Sequence, residues 1–367
     1  MGKFDWGLFF SAFFLSLLGI FLLFLIRIDL AKKQLFFLFL GVSFCFLFSF
    51  VDIDALKQSK IFVFLVYLFS LFLLSLLFLI APEIRGAKCW FKLGNFTFQP
   101  VEFTKIVLVL FFAKFFSSRH RELYHFWQIF LSLIYLSLPA LLVFFQPDFG
   151  SFLVLCFLWF SMILIAGIKR KHFLLIVISA LLLGIFSWFF LLKAYQKERI
   201  IAFLHPYLFA RTSGYHILQS LNAIGSGGIF GKGPFYPYLL SKLGFLPEAH
   251  TDFIFASFCE MFGFVGALVL LSLYLFFFWR IFEISKKAKT NFSKLVSSGF
   301  GTYLAFQTFL NMAMNLGLLP ITGVPLPFLS YGGSSLIFNF IGVGIIESVK
   351  RYQTKEVLYK ERSKKIL

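Results

Sequence analysis

The sequence predicts an all-α, polytopic membrane protein with about ten transmembrane helices, and three observations predict it. Of 367 residues, 60% are hydrophobic and 14% charged, too apolar a balance for a soluble chain that must cover its core with polar surface. The apolar residues fall into runs near the length that a helix rising about 1.5 Å per residue needs to cross roughly 30 Å of hydrocarbon. Lys and Arg, which give a net charge of +18, sit in short clusters between those runs and form no single basic stripe, so the charge reads as membrane topology and not as a nucleic-acid surface.

The runs lie approximately at 7–26, 34–50, 61–81, 101–117, 127–145, 149–168, 173–192, 253–279, 295–318 and 331–349. The first follows Lys3 without a small-x-small cleavage signal after it, and so reads as a retained span. The fourth is interrupted by Glu102, Thr104, Lys105 and Lys114. The clusters Lys169 to Lys171, Lys286 to Lys289 and the tail from Lys350 fall on one side of the resulting topology, which places that side and both termini in the cytoplasm. Arg27, Lys32 and Lys33, in the first outer turn, run against the rule. Residues 1–367 read as a single membrane domain, with 350–367 as a cytoplasmic tail.

Three outer segments, 82–100, 193–252 and 319–335, hold more polarity, Gly and Pro than a connector needs, so chemistry is expected to face outward. The second is a large extracytoplasmic loop between helices 7 and 8. Loops of that length are functional or disordered, and its Tyr, Phe, Gly and Pro content with few charges favours an ordered structure on the membrane surface. The 60 phenylalanines are spread through the apolar runs as lipid-facing groups. Cys45, Cys89, Cys156 and Cys259 lack metal-ligand spacing and form no disulfide framework.

Candidate chemistry sits where carboxylates meet the ends of spans. In HTDFIFASFCE, Asp252 lies at the interface, where it can cap the eighth helix or act chemically, and Glu260 follows two turns deeper. A charge at such depth costs about 2.5–3.5 kcal/mol, so Glu260 must pair, stay protonated or line a wet cavity. FQPVEFTK puts Pro100 at a first helical position and Glu102 and Lys105 on one helix face, as an internal ion pair. Asp148, in QPDFG, is placed to cap the sixth span. The run AIGSGGIFGKG (223–233) with Lys232 lacks P-loop spacing; a tight surface turn is the simpler account, and anion binding by its backbone the alternative. The broken segment TGVPLPFLSYGGSS (322–335) must be buried in protein or face a wet cavity, and Asn311, Asn315 and Asn339 are the groups expected to satisfy it.

In wording and order, GAKCW with LGNFTFQPVE, QPDFG, GYHILQSLNAIGSGGIFGKG, LPEAHTDFIFA and NLGLLPITGVPLPFLSYGGSS resemble the shape, elongation, division and sporulation family of RodA and FtsW over most of 7–350. ITGVPLPFLSYGGSS is more similar to the RodA, elongation branch. The resemblance implies an inner-membrane peptidoglycan glycosyltransferase that polymerises lipid II into a nascent glycan strand outside the membrane, partnered by a class B penicillin-binding protein. It assigns the essential aspartate to Asp252, an activity-linked tryptophan to Trp90 and a buried acid-base pair to Glu102 and Lys105. Asp148, Glu248 and Lys232 match recurring motif positions. Cys89 stands where arginine usually precedes the tryptophan, Val101 replaces a common serine and His216 a usual glutamine. PFYPYLL after Lys232 lacks glycines often found there. These departures bear on how the first outer loop meets lipid phosphate and leave Asp252 untouched.

The mechanism expected is inverting, with the acceptor C4 hydroxyl attacking the anomeric carbon of a diphosphate-linked donor. Asp252 is the general base or, equally, a ligand for a divalent cation such as magnesium or manganese. Lys105, Arg85, Lys88, Arg199 or Lys232 supplies charge to the leaving diphosphate, and Trp90 stacks on a sugar or anchors its loop. A lipid II flippase and a non-catalytic scaffold for the transpeptidase are the rival readings.

Overall fold

The computed structural model describes residues 4–366 except 60, 84–87, 95, 120–125, 191, 193 and 213, and gives no side-chain placement for 93, 195, 196, 199 and 353–366. Among the described residues, thirteen α-helices occur in order: α1 (Trp6–Ile26), α2 (Ile28–Ser49), α3 (Ile53–Gln58), α4 (Phe62–Ile80), α5 (Pro100–Ser118), α6 (Phe126–Phe145), α7 (Phe149–Ala166), α8 (Arg170–Phe190), α9 (Ala194–Leu204), α10 (Tyr215–Gly227), α11 (Ile254–Lys286), α12 (Asn291–Asn315) and α13 (Gly333–Ile366). An antiparallel hairpin, β1 (Phe91–Leu93) and β2 (Phe96–Phe98), precedes α5, and a 3-10 turn at Pro206–Phe209 joins α9 to α10.

The ten expected spans correspond to α1, α2, α4 to α8 and α11 to α13. Among the described helices, seven are apolar and long enough to cross a bilayer by composition; α5, α12 and α13 are as long but more polar. Their placement explains the difference. α5 is packed against α4, α7 and α12, so most of its surface, Glu102 and Lys105 included, faces protein. α12 lies between α5, α7 and α11, and α13 against α2 so closely that a Cβ on Gly344 would come within 2.4 Å of the Cys45 carbonyl oxygen. At the opposite extreme α8 buries His172 and no other described residue.

The apolar runs also misplace some ends. α2 begins at Ile28, before its apolar run, and leaves Arg27 alone as the connector; Asp29 sits in its first turn, where the helix dipole favours an acid. α13 continues past the apolar run, so the expected tail is a helical extension. One end of the bundle is tied by Asp5. Its side chain caps α1 through the Leu8 amide, takes Arg280 Nη2 of α11 at 2.5 Å and also pairs with Lys350 of α13, which sets both ends of the span bundle on the same side. Burial pushes the Asp5 carboxyl up, but the bonds from Arg280, Lys350 and Leu8 outweigh it and hold it below the usual carboxylate range.

Within the segment 193–252, the described residues include α9, the 3-10 turn and α10. α10 buries Ile217, Ser220, Ala223 and Gly227 and packs on α11, and Ser220 Oγ donates to the Asn315 carbonyl at 2.8 Å.

Candidate active site

The site is built around a backbone segment that turns back from the end of α12 into the helix bundle. After α12, residues 316–332 descend until the Pro327 carbonyl accepts from Tyr274 Oη at 2.6 Å, and the Leu329 carbonyl comes so close to α1 that a Cβ on Gly19 would meet it at 2.3 Å. Phe328, at φ 66°, packs its ring against Phe277 and Phe340. Irregular backbone at this depth persists when its polar groups find protein partners. Gln307 Nε2 donates to the Pro325 carbonyl at 3.0 Å and Asn311 Nδ2 to that of Val324 at 2.8 Å. Ser330 Oγ accepts from the Leu326 amide at 2.8 Å, and Gln34 brackets the return, donating to the Ser330 carbonyl and accepting from the Gly332 amide, each at 3.2 Å. Of the three asparagines expected here, Asn311 serves the segment directly and Asn315 turns to Asp252. Asn339 is a correction: it donates to Ser335 Oγ at 3.4 Å on its own helix, and its buried Oδ1 has no partner among the described residues.

The returning segment fixes the turn that carries Asp252. The His250 carbonyl accepts from the Tyr331 amide at 2.9 Å, the Thr251 carbonyl from Ser330 Oγ at 2.6 Å, and the Asp252 carbonyl from Asn311 and Asn315 Nδ2, both at 2.9 Å. Capping, the alternative role for Asp252, is filled otherwise. The cap residue of α11 is Phe253, and the first-turn amide of Ala256 goes to Asn315 Oδ1 at 3.1 Å. The Asp252 side chain is half-buried at the rim, where a Cβ on Gly323 would lie 3.8 Å from Oδ2. Glu248, at φ 53°, supports the turn from below: its carbonyl accepts from the Thr251 and Phe253 amides, and its carboxylate from Thr251 Oγ1 at 3.0 Å, with His250 Nε2 at 3.9 Å. His216, one of the departures from the family pattern, stacks on Phe253.

Across the 322–324 segment stands the start of α7, where a Cβ on Gly150 would meet the Thr322 carbonyl at 2.4 Å. Asp148 caps that helix, taking the Ser151 amide at 3.0 Å, Ser151 Oγ at 2.7 Å and Gln99 Nε2 at 3.3 Å. Burial lifts its carboxyl above the usual range despite the Ser151 and Gln99 bonds and the nearby charge of Lys105. Cys89 turns its thiol to the Gln146 carbonyl at 3.3 Å, which docks the half-buried Trp90 and Lys88 beside this turn. Lys105 pairs with Glu102 at 2.8 Å, donates to Gln307 Oε1 at 3.1 Å and lies over the Tyr303 ring; at 2% and 3% exposure the pair is sealed from the rim.

One expectation is corrected by a neighbour the sequence does not reveal. Lys232 is held by Glu260, Nζ to Oε1 at 3.3 Å, so its charge is committed to a buried carboxylate. Glu260 is satisfied further by the Leu240 amide at 2.8 Å and by the Ser241 amide and Oγ at 3.3 Å, which makes it the anchor of 228–243. The glycine run, expected as a tight surface turn, also clamps α11: the Lys232 and Gly233 amides donate to the Glu260 and Met261 carbonyls, and the Phe264 and Val265 amides donate back to the Gly228 and Ile229 carbonyls. It grips where α11 is broken at Gly263 (φ 65°, ψ −163°), and a Cβ there would sit 2.3 Å from the Gly231 nitrogen. Arg85 lies outside the described residues, and Arg199 falls on α9 with its side chain undescribed. Gln34, Gln99, Gln307, Tyr274 and Ser330 were not singled out from the sequence; amides inside apolar spans, as at Gln34 and Gln307, are the signal that finds them.

Among the described residues, no three His, Cys, Asp or Glu side chains gather to hold a metal ion. Asp252 offers one carboxylate at the rim, an oxygen donor of the kind a hard cation takes.

A family model described as "Cell cycle protein" and covering FtsW, RodA and SpoVE matches residues 6–355. The chain belongs to the FtsW/RodA/SpoVE family. It is 37% identical over 291 residues to Escherichia coli peptidoglycan glycosyltransferase MrdB, covering 77% of each chain. It is 40% identical over 268 residues to a probable peptidoglycan glycosyltransferase FtsW of Saccharophagus degradans, covering 71% of this chain and 67% of that one. A solved chain from work titled "Structural coordination of polymerization and crosslinking by a peptidoglycan synthase complex" superposes with a TM-score of 0.83 at 33% identity, covering 96% of this chain and 98% of that one. As a member of the FtsW/RodA/SpoVE family with these long apolar helices, the chain is an integral membrane protein.

Proposed function

We propose that this protein is a peptidoglycan glycosyltransferase that polymerises lipid II into glycan strands during cell elongation, with Asp252 on the outer face of the cytoplasmic membrane and both termini inside. The observation that carries the reading is Asp252 itself: a half-buried carboxylate at the bundle rim, on a turn whose three successive carbonyls are bonded to the re-entrant segment and α12. A fixed carboxylate at a partly dry interface suits a base that takes the proton of the attacking C4 hydroxyl. Asp252 would hold a divalent cation, which would supply charge to the leaving group; Lys88, beside Trp90, and Arg199 are the protein's own sources. Lys105 and Lys232 are bound to Glu102 and Glu260, so their part is structural. The elongation branch rests on the ITGVPLPFLSYGGSS wording.

The partner is a class B penicillin-binding protein with one membrane span. An open apolar groove of about 720 Å³ between α10, α11 and α12, lined by residues such as Phe264, Leu271, Phe278, Phe309 and Met312, has the chemistry to take such a helix. The flippase reading needs polar groups exposed along the membrane depth, whereas Glu102, Lys105 and Glu260 are at most 3% exposed and have partners. The purified chain with its transpeptidase, given lipid II, is expected to form glycan polymer; movement of labelled lipid II across vesicles with no polymer formed would favour the flippase instead.

A further inference from the structure

Four residues of α12 at four-residue spacing, Tyr303, Gln307, Asn311 and Asn315, share one helix face and are each at most 1% exposed. Lys105 lies over Tyr303 and donates to Gln307 Oε1; Gln307 Nε2 takes the Pro325 carbonyl. One turn on, Asn311 Nδ2 takes both the Val324 and Asp252 carbonyls. Asn315 Nδ2 takes the Asp252 carbonyl, the Asn311 carbonyl at 2.8 Å and Asn311 Oδ1 at 3.3 Å, while its Oδ1 receives the Ala256 amide. The face runs about 12 Å from Gln307 to Asn315, from a sealed ion pair to the rim.

We propose that Gln307, Asn311 and Asn315 are positioning residues, an amide ladder that sets the attitude of Asp252 and of the 322–325 backbone facing it and is tied at its inner end to the structural Glu102–Lys105 pair. The inference rests on the reading of Asp252 as the working carboxylate. Gln307 and Asn311 each hold two partners from different parts of the chain and Asn315 holds the head of α11 at both Asp252 and Ala256, so the ladder registers α11, α12 and the re-entrant segment against one another at the point where the carboxylate emerges. Asn315 matters most: by capping α11 from a second helix it fulfils a task that an aspartate at the head of a helix ordinarily performs with its own carboxylate.

The test is steady-state polymerisation of lipid II by the full chain with its transpeptidase, with kcat and KM separated and folding followed by thermal melting and co-purification. Asn311→Leu and Asn315→Leu remove the amides at similar volume. Gln307→Glu keeps an acceptor for Lys105 and loses the donor to Pro325, and Asn339→Leu makes the same change off the ladder. The expected result is a fall in kcat on the order of 100-fold for the three ladder variants, the scale of a catalytic group displaced by about 1 Å, with KM nearly unchanged and Asn339→Leu near the native rate. Native kcat in folded ladder variants, with Asp252→Asn inactive, would overturn the ladder and spare the reading of Asp252. An active Asp252→Asn would overturn that reading instead. If the leucine variants melt early, Asn315→Asp, which keeps the acceptor for Ala256, decides: a kcat-only loss supports positioning, and a native kcat contradicts it.

Discussion

Replacing Glu260 by alanine removes the acceptor on which residues 228–243 hang. Its carboxylate, 0% exposed, receives Lys232 Nζ, two backbone amides and a hydroxyl. Loss of a buried pair's partner costs about 3–5 kcal/mol, but Lys232 is 27% exposed and can rehydrate, so its share is small. Each stranded amide adds about 1–3 kcal/mol, less where water enters the vacated space. The sum is about 3 kcal/mol of local stability, roughly a 100-fold faster opening of the segment. Hydrogen exchange of the Leu240 and Ser241 amides in detergent reads it directly, and Glu260→Gln, which keeps volume and one acceptor, should fall between the native and alanine rates. Unchanged exchange at these two amides in Glu260→Ala would refute the anchoring role.

Gly263→Ala forces a Cβ to within 2.3 Å of the Gly231 nitrogen at φ 65°, and should release the glycine clamp and lower the melting temperature, while Gly184→Ala, where a Cβ meets nothing within 4 Å, should not. Lys105→Met leaves the Glu102 carboxylate buried without its cation and should cost about 3–5 kcal/mol, whereas Glu102→Leu with Lys105→Met should melt close to the native protein, as replaced buried pairs do. Asp5 has its carboxyl held below its ordinary value, so its contribution is whole above the unfolded value near 4 and lost as pH falls through the folded one. An acid melting series should accordingly show a smaller decline for Asp5→Asn than for the native chain.

Patterns that repeat along the chain were legible in the sequence, and contacts between distant residues were not. Apolar runs locate the spans, and Pro100, Glu102 and Lys105 announce α5 with its internal pair, because helix periodicity relates neighbours. HTDF marks Asp252 at a helix start for the same local reason. What bonds the first-turn Ala256 amide of α11 is Asn315, 59 residues further on, and what closes the re-entrant segment is Gln34, 296 residues before Ser330. The glycines of 225–233 were readable as a tight surface turn. That the turn grips the break in α11 depends on a tertiary approach that no local pattern encodes.

The most direct test of the account is glycan-strand formation from lipid II by the chain with its transpeptidase, comparing the native protein with Asp252→Asn, an isosteric change that removes the charge. Polymer is expected to be lost while melting temperature and partner co-purification stay native. Undiminished polymer from Asp252→Asn would contradict it.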